Sequence, residues 1–231
     1  MVDRLFILNS KAMKTLKKLS IKFLALAAIC LAVPTVASAQ NVAVINYSTE
    51  TFNNYYLNGD WQFNVPISND FANKASGWGM SFDGGYYFTP NWGVGAFLAF
   101  NTNHKYVPTQ TLQFDDATLT TNQQHSVFQL PFGLSGRYRI MPGNTFDPYI
   151  SLKLGPNYTQ MSSYFSTFKA YDRTWGFYMS PEIGANVWLT PNQSVGLHFA
   201  LYYSYATNKS HVLTYSMDNL NNFGFRVGLA F

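Results

Sequence analysis

Cysteine is almost missing from this 231-residue chain: Cys30 is the only one, and it sits in the apolar part of an N-terminal leader. Downstream of the leader no disulfide and no thiolate metal site can form. Charge is scarce as well, at 11% Asp, Glu, Lys and Arg, against about 25% in soluble domains. No segment beyond the leader reaches about 18 consecutive apolar residues, so no helical membrane span is expected. No G-x-S-x-G, P-loop or dinucleotide fingerprint occurs, so those nucleophile and nucleotide chemistries have no local signature here.

Lys14, Lys17, Lys18 and Lys22 precede an apolar run from Phe23 to Val33, and Ala37-Ser38-Ala39 forms a small-residue cleavage site. Residues 1–39 read as a secretory signal, with Met13 as an alternative start. Ile29 before Cys30 argues against a lipid-attachment cysteine. The leader holds six of the 15 basic residues and one of the 11 acidic ones, which leaves 9 basic and 10 acidic residues beyond it. The basic balance of the whole chain therefore belongs to its export signal. It gives no support for nucleic-acid binding.

What the chain has in abundance is alternation. Phe223, Phe225, Val227, Leu229 and Phe231 occupy every second position, with Asn222, Gly224, Arg226, Gly228 and Ala230 between them. Successive side chains of a strand point to opposite faces, so one face is wholly apolar and the other small or polar. The same period recurs over about 56–67, 76–89, 92–104, 125–140, 147–160, 174–190 and 194–206. Helical periodicity fits none of these segments well. Connections alternate between tight turns, such as Thr89-Pro90-Asn91, and longer polar stretches at about 68–75, 105–124, 161–173 and 207–220. Together these features predict an all-β fold: an eight-stranded antiparallel up-and-down transmembrane barrel over 56–231. Residues 40–55 form a lead-in.

Abundant aromatic residues, 18% of the chain, suit a barrel with interfacial girdles. Trp78, Trp92, Trp175 and Trp188, with Tyr86, Tyr158, Tyr203 and Tyr205, fall near the expected strand ends. The inward faces carry Asp60, Asp83 and Glu182 against Arg137, Arg139, Lys153 and Arg226, together with His198. An eight-stranded barrel is just wide enough for side chains to fill. Opposite charges there neutralise one another, and an unpaired one is costly. Inward glycines (Gly77, Gly79, Gly85, Gly93 and Gly95) favour the competing reading, a narrow ion path. No metal-like spacing links His104, His125, His198 and His211. Ser126 and His125 are neighbours on a strand and so point to opposite faces, which argues against a nucleophile–base pair.

The pieces Gly84-Gly85-Tyr86-Tyr87-Phe88-Thr89-Pro90-Asn91-Trp92-Gly93 and Phe223-Gly224-Phe225-Arg226-Val227-Gly228 give the chain a specific likeness. It resembles the small outer-membrane β-barrel proteins of the OmpA/OmpX type, over about residues 56–231. The resemblance implies an outer-membrane location in a Gram-negative-type cell. It also implies that the last strand is read by the barrel assembly machinery after periplasmic chaperoning. Asn222, Gly224, Val227, Leu229 and Phe231 match the form of that assembly signal.

The function expected is a structural or surface-interaction role in the cell envelope, with a filled charged lumen and no cofactor. The partners expected are outer-membrane lipid and, through the external loops, an extracellular ligand. A narrow channel for ions or small solutes is the alternative, and a lipid-modifying membrane enzyme comes third.

Overall fold

The computed structural model describes residues 54–67, 70–113, 118–165 and 168–231. The leader and the lead-in up to Asn53 lie outside the described residues. The remainder forms β1 (Tyr55–Pro66), β2 (Gly79–Tyr87), β3 (Trp92–Gln113), β4 (Thr118–Arg139), β5 (Phe146–Phe165), β6 (Phe168–Trp188), β7 (Gly196–Val212) and β8 (Tyr215–Ala230). Each strand pairs antiparallel with its neighbours in chain order, and β8 closes on β1. Closure runs from Asn58↔Ala230 to Pro66↔Asn222, with Phe63 stacked on Phe225 at 5.2 Å on the outer face.

The alternation decides which face is which. On β1, Asn58, Asp60, Gln62 and Asn64 are buried, while Tyr55, Leu57, Trp61 and Val65 are exposed. Outward apolar residues form a continuous belt around the barrel. One edge passes through Ile67, Trp78, Trp175 and Phe223, and the other through Tyr55, Phe88, Trp92, Ile140, Phe146 and Phe231. On β8 the belt covers residues 223–231. At ~3.3 Å rise and ~40° tilt such a run crosses about 20 Å, near the apolar band of a membrane barrel.

Three stretches expected as loops are largely strand. β3 runs up to Gln113 and β4 restarts at Thr118, with pairs such as Thr111↔Thr120 across the expected 105–124 loop. Likewise β5 and β6 pair as far as Phe165↔Phe168, and β7 and β8 as far as Val212↔Tyr215. These segments are rich in Thr, Tyr, Val and Gln. Their backbone groups find partners across the hairpin, so the ladder continues beyond the belt. Trp188 departs from the expected girdle. It shares the parity of Glu182 and Asn186 and points inward, at 5% exposure.

Glycines on the inner wall sit where tyrosine rings need room. A methyl carbon at Gly95 would lie 2.6 Å from the Tyr56 hydroxyl and 2.3 Å from the Gly84 carbonyl. Gly184 makes the same room for Tyr149, and Gly224 for Tyr202. Of the glycines expected inside, Gly85, Gly93 and Gly95 lie against Tyr56 or Tyr87 and Gly79 against neighbouring backbone, while Gly77 lies against the outward Trp61, so these positions are occupied space and weaken the sequence argument for an ion path. Gly95→Val is expected to abolish the heat-modifiable, folded species on gel electrophoresis. Gly136→Ala, at an outward position with open space around it, should leave that species intact. Equal folding of both variants would contradict this packing.

Candidate functional site

The short-turn half of the lumen holds a buried ionic network. Asp60, Asp83, Arg137, Arg139, Lys153, Glu182, His198 and Arg226 are all 2% exposed or less. They come from β1, β2, β4, β5, β6, β7 and β8, so the network ties almost every strand to another. Asp83 accepts from Arg137 at 2.9 Å and from the Ser135 hydroxyl at 2.7 Å, and the Lys153 ammonium stands 3.3 Å away. Lys153 also donates to Glu182 at 3.0 and 3.2 Å. Arg226 donates to the same Glu182 and, through Nε, to Gln62 at 2.9 Å. His198 meets Asp60 through Nδ1 at 2.6 Å and Tyr149 through Nε2 at 2.5 Å, and Tyr149 donates to Glu182 at 2.8 Å.

Arg139 stands at the short-turn end, where its guanidinium lies 3.5 Å from Asp147 and donates to the Pro90 carbonyl at 3.1 Å. Asp147 was missed in the sequence because Phe146-Asp147-Pro148 reads as the exit of a turn. Its parity with Tyr149 and Ser151 was the available signal. With Asp147 included, the buried acids Asp60, Asp83, Asp147 and Glu182 match the bases Arg137, Arg139, Lys153 and Arg226 in number. Such balance is what a low-dielectric interior requires.

The inward tyrosines were also not singled out in the sequence. Arg137 is sandwiched between the Tyr56 and Tyr149 rings, at 4.0 and 3.9 Å from their centroids. Arg139 lies 3.6 Å over Tyr87, and Arg226 4.2 Å over Tyr202. Each guanidinium thus spends its edge on carboxylates and amides and its face on a ring. This stacking fills the volume that the glycines vacate.

Above this network comes an amide layer. Asn64 donates to Asn103 at 2.7 Å, and Asn157 to Asn208 at 2.9 Å. An apolar cluster begins level with these layers, at Phe97, Tyr178 and Ala206, and continues to the long-hairpin end. Phe97, Val127, Met161, Tyr178, Ala206, Val212, Met217 and Leu220 pack together with Phe71 and Ala72 from the β1–β2 connection. That connection was expected to be a polar loop. Instead, part of it folds into the barrel mouth like a strap.

Phe71 stacks on the His125 ring at 3.9 Å between centroids, and its carbonyl lies 3.0 Å from His125 Nδ1. Lys105 donates to the Asp70 carbonyl at 2.5 Å, and Asn103 to the Lys74 carbonyl at 3.0 Å. His125 is buried, His211 is exposed, and among the described residues no group of three His, Cys, Asp or Glu converges to hold a metal ion. The assembly-signal positions divide by face: Val227, Leu229 and Phe231 point outward into the belt, while Asn222 is buried on the inner wall.

The model of the outer membrane protein beta-barrel domain matches residues 23–231. The chain belongs to that family. Membership places the barrel in the outer membrane, with the short turns periplasmic and the long hairpins extracellular, as is general for such barrels. No curated protein matches the chain. Similar solved structures include Neisserial surface protein A, with 15% identity over 76% of this chain and 95% of that one, at a TM-score of 0.49. Another is the outer membrane protein OprG from Pseudomonas aeruginosa, with 16% identity over 78% and 95% and a TM-score of 0.46. The attachment invasion locus protein of Yersinia pestis, solved with the heparin analogue sucrose octasulfate, gives 12% identity over 77% and 97% and a TM-score of 0.41.

Two measurements probe these layers. Arg226→Ala removes one of the two cations held against Glu182, and breaking a buried pair costs about 3–5 kcal/mol. The urea unfolding midpoint of the barrel in detergent should fall accordingly. An unchanged midpoint would mean that the network contributes nothing.

The second measurement concerns the strap. His125 lies beyond Phe128, where the apolar belt ends on β4, and so outside the lipid-crossing part. Burial holds its imidazole below the ordinary value. The neutral ring is favoured in the docked state, so docking is strongest above about pH 6.5 and weakens as pH falls below it. A nitroxide on Ala75→Cys should gain mobility between pH 7.5 and 5 in an otherwise unchanged barrel. The gain should be smaller in one that also carries His125→Gln, and equal gains would exclude His125 as the cause.

Proposed function

We propose that this protein is a closed, non-conducting barrel of the cell envelope whose extracellular hairpins serve surface interaction. The observation that carries this reading is the double obstruction of the lumen. Four cations and four carboxylates cross-link the periplasmic half, with tyrosine rings in the remaining space. The extracellular half is stoppered by the upper part of the apolar cluster, Val127, Met161, Val212, Met217 and Leu220, and by the strap that brings in Phe71 and Ala72. A channel needs a continuous polar path, and both layers interrupt one. The trio Tyr149, His198 and Asp60 has the contacts of a hydroxyl, a base and an orienting carboxylate, but all three are buried in the packed network, which gives the enzyme reading no support.

In this reading the ionic network is structural. It fixes strand register and offsets charge, because an unpaired charge there would be expensive. Asn222, Gly224, Val227, Leu229 and Phe231 act earlier, as the address read by the barrel assembly machinery after chaperoned passage through the periplasm. Outer-membrane lipid covers the belt, and an extracellular ligand meets the hairpin walls.

Conductance and liposome swelling test the reading directly. The refolded protein should give no solute flux above empty liposomes at neutral pH. Steady flux that disappears on altering Arg137 or Glu182 would replace the closed barrel with a charged pore.

A further inference from the structure

The lipid-facing belt is not uniform. In its periplasmic half, the outward positions of β5 to β8 carry Phe, Ile, Leu and Val, apart from Pro148 and Ala185. These two short side chains are paired in register across β5 and β6, so together they leave a depression in the wall. Phe146, Ile183, Phe199, Leu201 and Phe225 stand around it, all exposed. The result is an apolar groove of about 410 Å³ that reaches down to the sheet at Gly184 and Ala200. Of its lining only Arg226 is charged, and that side chain turns inward to Glu182 and Gln62.

Height and charge select the occupant. Phe146 and Phe231 lie on the periplasmic edge of the belt. At ~3.3 Å per residue and ~40° tilt, Pro148 stands about 5 Å above Phe146, and Phe225 about 15 Å above Phe231. The groove therefore opens at that edge and rises through about half of a hydrocarbon core ~30 Å thick, the depth of one leaflet. At ~30 Å³ for each group the size of a water molecule, it has room for about 13 chain carbons. The short turns at 88–91, 141–145 and 189–195 contain no Asp, Glu, Lys or Arg. Lys74, Lys105, Lys169, Arg173 and Lys209, the described cations outside the lumen, all stand at the opposite, extracellular end. A lipid phosphate at the periplasmic edge thus meets hydroxyls and amides, and no cationic side chain among the described residues.

We infer that this groove binds one acyl chain of a periplasmic-leaflet phospholipid, and that the headgroup of that lipid goes unread. The chain enters beside Phe146, lies over Pro148 and Ala185, and ends against Phe225. Burial of chain methylenes between the walls supplies the binding, at about a fourfold change for each one. A second copy of the barrel fits less well. Its convex wall would rest on the rim at Ile183 and Leu201, which are 66% and 57% exposed, and leave the floor at Ala185 empty. A single chain is slender enough to reach that floor.

The test uses the full barrel in nanodiscs of phosphatidylethanolamine and phosphatidylglycerol, with identical chains and in equal amounts. After extraction into mild detergent, native mass spectrometry counts the phospholipid retained by each barrel. The unaltered protein should keep one, with the two headgroups in equal proportion. In Ala185→Phe the new ring displaces at least two chain methylenes, so retention should fall about fifteenfold. Heat-modifiable mobility checks that this variant is folded. Ala96→Phe places the same ring on the outward face of β3, between Gly84 and Leu134, and should retain as much lipid as the unaltered barrel. Equal retention by folded Ala185→Phe overturns the site, and so does an equal loss in Ala96→Phe. Strong enrichment of phosphatidylglycerol would mean that a headgroup is read after all. A lipid-free dimer that Ala185→Phe converts to monomer would make a second copy the occupant.

Discussion

Hydrocarbon offers a peptide group no hydrogen bond, and the rest of this molecule follows from that constraint. Each strand must have a partner on both sides, so the sheet must close. The β1–β8 seam, from Asn58↔Ala230 to Pro66↔Asn222, supplies that closure. Once eight strands are joined, the lumen has a set radius and must be filled. The outer face then takes apolar residues because it meets lipid. The inner face, freed from that demand, takes whatever packs and balances.

What packs is a complementary set of rings and gaps. Tyr149 and Tyr202 lean over their cross-strand partners Gly184 and Gly224, and Tyr56 reaches across Gly85 to Gly95. Arg137 and Arg226 lie against those rings and reach carboxylates with their edges. Hydrophobic burial, cation–ring attraction and ion pairing are therefore not separable contributions here. Removing one member leaves several others without a partner. The arrangement along the axis adds a second logic: charge toward the short turns, and amides interleaved with an apolar cluster that continues to the long-hairpin mouth.

Much of this was legible in the sequence because period two is a direct record of which face meets lipid. The alternation of Phe223, Phe225, Val227, Leu229 and Phe231 against Asn222, Gly224, Arg226, Gly228 and Ala230 gives strand, faces and burial at once. The same parity placed Asp83, Lys153 and Glu182 inside. It failed where turn chemistry or polarity masked it. Asp147 was lost in the turn-like Phe146-Asp147-Pro148. Residues 105–113 and 118–124 are mostly polar, so alternation no longer marks the strand, although the ladder continues through Thr111↔Thr120. The strap was invisible for another reason. Phe71 and Ala72 are a short apolar pair in a polar connection, and only the three-dimensional mouth formed by His125, Met217 and Leu220 gives them a place to go.

The extension of the ladders beyond the belt has a consequence for how the outside of this protein can change. In a flexible loop any substitution alters an ensemble, and a partner must freeze that ensemble at about 1–2 kcal/mol per ordered residue. Here the projecting walls are already sheet, so contact orders little. Their two faces are also independent. The outward residues of β6, such as Tyr171 and Arg173, point away from the stopper, while Val212 and Met217 on β7 and β8 form part of it. The exterior is thus free to diversify one residue in two without loosening the lid beneath it.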